Sequence, residues 1–194
     1  MISEEGFVRT RKDRFTLKSD FGMWFIDIYD TSIHREDKGI QAALLFHIES
    51  IERLIAEING KKYSRTTSTD VITLMELTRS SDAYQVTFNC IPEDIADDIF
   101  YHYKRYFKPF ISDKDFEKHY CEKELSKKID SRYNYDAVRT VAVLIKNGLY
   151  DKAVETAENA RENCFYFYKA SSKEKCLENI RRITERMKND LAEK

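Results

Sequence analysis

The hydropathy period of this 194-residue chain changes once, near Cys90. Up to that point apolar residues alternate or run together as they do in strands. Beyond it they recur every three or four positions, as they do along one face of a helix. Segregation of the two periods is the signature of an α+β fold, with a sheet first and a helical bundle after it. Five glycines and two prolines are too few to turn the many corners of a barrel or sandwich, and they suit helices joined by brief connections.

The first half reads as an N-terminal antiparallel sheet of about five strands with one short helix. Residues 7–10 and 14–18 flank the polar turn Arg11-Lys12-Asp13 as a hairpin, and residues 23–29, rich in aromatic and β-branched side chains, form a third strand. A polar loop over 32–39 leads to a strand at 40–48, whose unbroken apolar run predicts burial on both faces. Ile51, Leu54, Ile55 and Ile58 then trace a short helix ended by Asn59-Gly60. Residues 71–78 and 83–88, around the turn at 79–82, read as a second hairpin.

The second half predicts a C-terminal bundle of about five helices, starting at Pro92, Ser112, Asp130, Asp151 and Ser171, the last with Glu174 as a capping box. The first runs down to Lys108-Pro109 along Ile95, Ile99, Tyr103, Tyr106 and Phe107. A third carries Val138, Val141, Ala142 and Ile145 on its buried face and closes at Gly148. The fourth shows the small residues Ala153, Ala157 and Ala160, and the last a stripe of Leu177, Ile180, Ile183, Met187 and Leu191. No Gly/Ser tract separates the halves, so residues 1–194 are expected to form a single domain, with 1–90 mainly β and 91–194 all α.

Charge and cysteine usage exclude several classes. The 33 basic and 34 acidic side chains remove the general electrostatic reason to expect nucleic-acid or membrane-surface binding. The N-terminal residues lack a signal pattern and no run reaches the ~20 apolar residues of a membrane span, so a cytoplasmic protein with no membrane partner is expected. Cys90, Cys121, Cys164 and Cys176 form no Cys-x-x-Cys pair, which predicts reduced, mostly buried thiols.

Residues 100–110 are the most suggestive stretch, because they interleave Phe100, Tyr101, Tyr103, Tyr106, Phe107 and Phe110 with Lys104, Arg105 and Lys108. Single-stranded nucleic acid stacks and pairs on such a pattern. The same arrangement has a structural explanation: Glu93, Asp94, Asp97 and Asp98 stand at the helix start and the cations at its end, as the helix dipole favours. Residues 101–140 carry ten basic against seven acidic side chains, a small excess for a polyanion that needs several phosphate contacts.

No metal, cofactor or catalytic residue is expected. His119 and Cys121 lie two apart on a helix and point about 200° from one another, which does not let them share a metal with His102. His34 sits beside Glu36 and Asp37 in a loop, without a nucleophile motif or a His-Glu-x-x-His pair to make it acid/base machinery. Glycines 6, 22, 39, 60 and 148 are too scattered to cradle a phosphate.

Two resemblances add to this reading. Lys146-Asn147-Gly148-Leu149-Tyr150-Asp151, continued by Ala153, Ala157 and Ala160, resembles the turn and second helix of a tetratricopeptide repeat, so residues 137–160 are expected to form one helical hairpin. The helix before that turn holds Ala137, Thr140, Val141 and Leu144 in place of the repeat's signature, and no second copy follows. Glu5-Gly6-Phe7-Val8-Arg9, Arg14-Phe15, Trp24-Phe25-Ile26-Asp27-Ile28 and the late helical pair resemble a group of uncharacterised bacterial α+β proteins among the immunity proteins of polymorphic toxin systems. The resemblance implies a non-enzymatic domain that binds another protein and blocks it. Tyr101, Arg105, Tyr133 and Tyr135 are the expected anchors, since Tyr and Arg dominate interface hot spots. The alternatives are a nucleic-acid-binding module using Lys104, Arg105 and Lys108, and an enzyme whose site comes together only in three dimensions.

Overall fold

The computed structural model describes residues 2–30, 38–73, 84–86, 100–101, 103–126, 137–161 and 172–193. It has the expected α+β architecture. Its backbone contacts gather into two compact units, Met1–His47 with Ser68–Phe116, and Ile48–Thr67 with Glu117–Lys194. The helix that follows the fourth strand in sequence thus belongs to the same unit as the late helices.

The first unit is built on a six-stranded sheet. Strands β1 (Val8–Arg9), β2 (Arg14–Ser19), β3 (Gly22–Asp30), β4 (Lys38–Ile48) and β5 (Asp70–Thr73) lie in sequence order, and β6 (Tyr84–Val86) also pairs with β4. The first hairpin forms as expected, with Val8 opposite Thr16 and Arg9 opposite Phe15. Arg14 sits opposite Asp27 in the β2–β3 register. The guanidinium grips that carboxylate at 2.6 and 2.5 Å and lies 4.6 Å from the centre of the Phe25 ring, so one pair locks the register with two kinds of contact. Ala42, Ala43, Leu44, Phe46 and Ile48 of β4 are all buried, in keeping with its uninterrupted apolar run.

The second hairpin is corrected over its described residues. β5 runs antiparallel to β4 opposite Ala43–Phe46, and β6 runs antiparallel to β4 opposite Lys38–Ile40. Two strands that both oppose β4 run in the same direction, so these stretches are not facing arms of one hairpin. Residues 74–83 lie outside the described set, as do the expected helix starts at Pro92 and Asp130.

Aromatic rings close the core of this unit. Phe116 meets Trp24 of β3 at 4.5 Å, Phe46 of β4 at 4.9 Å and Phe21 of the β2–β3 turn at 5.4 Å, measured between ring centres. The sequence around Phe116 departs from expectation by one residue. Ser112 closes the short helix α2 (Lys108–Ile111), its N–H donating to the Lys108 carbonyl. It is Asp113 whose carboxylate accepts the Asp115 N–H at 3.0 Å, before α3 (Phe116–Ser126) begins. A carboxylate satisfies the orphan amide donors of a helix start and also sits favourably at the positive end of the dipole.

The second unit contains α1 (Glu49–Ile58), α4 (Ala137–Lys146), α5 (Tyr150–Asn159) and α6 (Lys173–Ala192). Helix α1 packs on α4 and α6, and α5 packs on the same two, which closes a four-helix ring. Residues 137–145 of α4 are buried all round, so its burial exceeds the one-sided face expected of it. Ala153 and Ala157 of α5 are fully buried, the small-residue contact that lets helices approach closely. Both glycine stops adopt positive φ, +62° at Gly60 and +75° at Gly148. In each case two amides donate back to the last helical turn, Gly60 to Glu57 and Lys61 to Ala56, Gly148 to Ile145 and Leu149 to Leu144.

Helix α6 is shifted relative to its expected cap and stripe. Ser172 is the N-cap, its hydroxyl accepting the Lys175 N–H at 3.2 Å, while Ser171 lies outside the described residues. The Glu174 carboxyl is held below its ordinary pKa by its own backbone N–H and by the Ser172 hydroxyl. The buried face comprises Cys176, Asn179, Ile180, Ile183 and Thr184, and Leu191 stays 60% exposed. Asn179 fits there because its amide donates to the Ile58 carbonyl at 3.0 Å, capping the end of α1 from another helix.

Candidate functional site

Residues 100–111 belong to the sheet unit, and their backbone is not a plain α-helix. Tyr103–Phe107 form a π-helical turn that passes into α2. Position 109 explains the widening. In an α-helix the N–H of residue 109 would bond the carbonyl of Arg105, but Pro109 has no N–H and its ring crowds that carbonyl. A π turn relieves both conflicts, and such turns are frequent at functional sites. The expected helix end at Lys108-Pro109 is therefore a change of helical pitch, with α2 continuing to Ile111.

The π turn sorts its side chains into a buried and an exposed set. Tyr103 and Phe107 are buried, while Tyr101, Lys104, Arg105 and Lys108 are exposed. Tyr103 packs edge-on against Phe7 at 6.1 Å and parallel to Phe100 at 6.1 Å. Burial, reinforced by the charge of Glu5 and a hydrogen bond to it, pushes the Tyr103 phenol up to about 12. Glu5 also accepts from the Lys108 ammonium at 3.0 Å on both oxygens. Glu5 and Phe7 thus have a structural role, fastening the N-terminal segment to the π turn.

The exposed set forms a layer of cations on rings. Arg105 Nη1 donates to the Tyr101 hydroxyl at 2.7 Å, and its guanidinium carbon lies 6.0 Å from the Tyr101 ring centre and 5.6 Å from that of Tyr106. The hydrogen bond to Tyr101, followed by the charges of Tyr101 and Tyr106, raises the Arg105 pKa. Lys104 places its ammonium 4.3 Å from the centre of the Phe100 ring. These separations are within cation–π range. Tyr101 is 53% exposed, the most open aromatic of this stretch.

Of the expected site residues, the structure brings Tyr101, Lys104 and Arg105 together with Phe100 and Tyr106. It directs Lys108 to Glu5, a pairing that no local spacing foretells because the partners are 103 residues apart in sequence. Phe100 and Tyr106 were legible as aromatics, and the structure shows that they carry Lys104 and Arg105. Tyr133, Tyr135, His102 and His34 lie outside the described residues. His119 is exposed and Cys121 buried, the opposite orientations expected from their spacing. Burial pushes the Cys121 thiol up, as it does that of Cys176. Among the described residues, no helix is long and apolar enough to cross a membrane. No family model, curated protein or solved structure matches the chain.

Proposed function

We propose that this chain is a cytoplasmic protein-binding domain that acts by occupying a partner's surface, and that Tyr101, Lys104 and Arg105 form its docking face. The observation that carries this reading is the Arg105 guanidinium, held by the Tyr101 hydroxyl beside two rings on an exposed turn. An arginine fixed in this way has already lost much of the side-chain freedom that binding would otherwise cost. Tyrosine and arginine are also the residues whose truncation most often abolishes binding. The residues that resemble immunity proteins add the expectation that the partner is a toxin protein the domain blocks. A nucleic-acid reading draws less support, because Lys108 is committed to Glu5 and the rings already carry the chain's own cations.

Affinity capture from the native cell, with wild type and a Tyr101→Ala/Arg105→Ala variant as paired baits, tests the proposal. Both side chains are exposed, so the variant should keep its thermal transition. A specific protein recovered by wild type and lost by the variant is the expected result. Equal recovery by both baits, or recovery of nucleic acid alone, would overturn it.

A further inference from the structure

We infer that the partner meets this face with carboxylates, so that Tyr101, Lys104 and Arg105 dock an acidic protein segment and Arg105 grips one of its carboxylates in a two-pronged bond. The inference rests on the protein-binding reading and names the chemistry of its partner. Residues 100–111 carry three cations and no acidic side chain. Lys108 is neutralised by Glu5, whereas Lys104 and Arg105 are set on rings. A guanidinium has five donors in a planar fork. Contacts to the hydroxyls of Tyr101 and Tyr106 leave enough of them for a bidentate carboxylate.

The number of cations separates an acidic protein segment from a nucleic acid. With Lys108 held by Glu5, the turn offers an incoming anion Lys104 and Arg105. Two phosphate contacts give a nucleic acid only a shallow salt dependence and little affinity. A protein that offers one or two carboxylates beside an apolar contact for the Tyr101 ring is matched by those two cations.

The probes are short dye-labelled polyglutamate and oligothymidylate, each of about four units, titrated at low salt, where exposed charges are least screened. Polyglutamate should bind wild type, and Lys104→Ala/Arg105→Ala should weaken it about ten-fold or more. Arg105→Lys should fall between the two, because an ammonium cannot reproduce the fork. Tighter binding of oligothymidylate than of polyglutamate, or polyglutamate binding unchanged by the double substitution, would overturn the inference. If polyglutamate fails while the Tyr101→Ala/Arg105→Ala bait still loses its captured protein, the acidic partner falls and the docking face stands. If the capture survives as well, both fall.

Discussion

The sheet unit closes its core with rings, and the helical unit closes its own with methyl groups. Trp24, Phe46, Phe21 and Phe116 fill the first, and Ile51, Ile55, Val141, Ala153, Ala157 and Ile180 fill the second. Their surfaces differ too. Among the described residues of the helical unit, several charged side chains are paired between helices, as in Arg186–Glu57, Arg181–Glu158, Lys188–Asp151 and Lys146–Glu117. In the sheet unit Arg14 and Lys108 are likewise held by Asp27 and Glu5, while Lys104 and Arg105 are set on rings. The contrast teaches that an exposed cation signifies little where a carboxylate of the same fold holds it. It signifies more where, as on the proposed docking face, aromatic rings hold it in place.

The contrast between the cores predicts the largest effects. Phe116→Ala should destabilise the sheet unit by about 3–5 kcal/mol, since it removes the ring on which the others converge. Trp24 is the chain's only tryptophan and lies 4.5 Å from Phe116. Its fluorescence in a denaturant titration measures the loss, and an unchanged midpoint would contradict the ring-centred core. Ala157→Leu should overpack the helical unit and cost about 1–3 kcal/mol, read by far-ultraviolet circular dichroism. A neutral result would mean that α5 is not closely apposed to its neighbours.

Smaller changes sharpen the comparison. Gly148→Ala should cost about 1–2 kcal/mol through backbone strain alone, because no atom lies within 4 Å of the added methyl group. Thermal melts check this, and an undiminished melting temperature would contradict the left-handed stop. Tyr103 supplies a pH test for the sheet unit. Its folded pKa of about 12 lies above the ordinary 10, so above pH 10 the unfolded chain gives up this proton before the folded one does. Its contribution is therefore intact below pH 10 and declines as pH rises from 10 to about 12. Tyr103→Phe should flatten that alkaline decline in stability, and an identical decline in both proteins would contradict the burial of the phenol. The smallest stability effect belongs to Tyr101→Ala/Arg105→Ala, within about 0.5 kcal/mol, as expected of exposed positions.

How much of this was legible in the sequence depended on whether the signal was local. The first hairpin, the isoleucine face of α1, the glycine stops and the small-residue face of α5 each follow from residues a few positions apart, and they stand where expected. The displaced caps, Asp113 in place of Ser112 and Ser172 beside Ser171, show that neighbouring polar residues compete for one helix start, and only backbone geometry decides between them. The relation of β5 and β6 was missed because alternation shows that a strand exists but not which strand it pairs with. Pro109 signalled a break, and the outcome was a wider turn, because helical structure resumes directly after it. The site was legible as a stretch of sequence. Its division into buried Tyr103 and Phe107 and exposed Tyr101, Lys104 and Arg105 follows the expected stripe, while the half-exposure of Tyr106 beside Arg105 and the loss of Lys108 to Glu5 required the structure.

The central claim, that Tyr101, Lys104 and Arg105 form the docking face, is tested most directly by amide hydrogen exchange of the protein with and without its captured partner. The account predicts new protection at Tyr101, Lys104 and Arg105 and unchanged exchange in α5 and α6. Protection confined to the helical unit, with residues 100–108 exchanging as in the free protein, would contradict it.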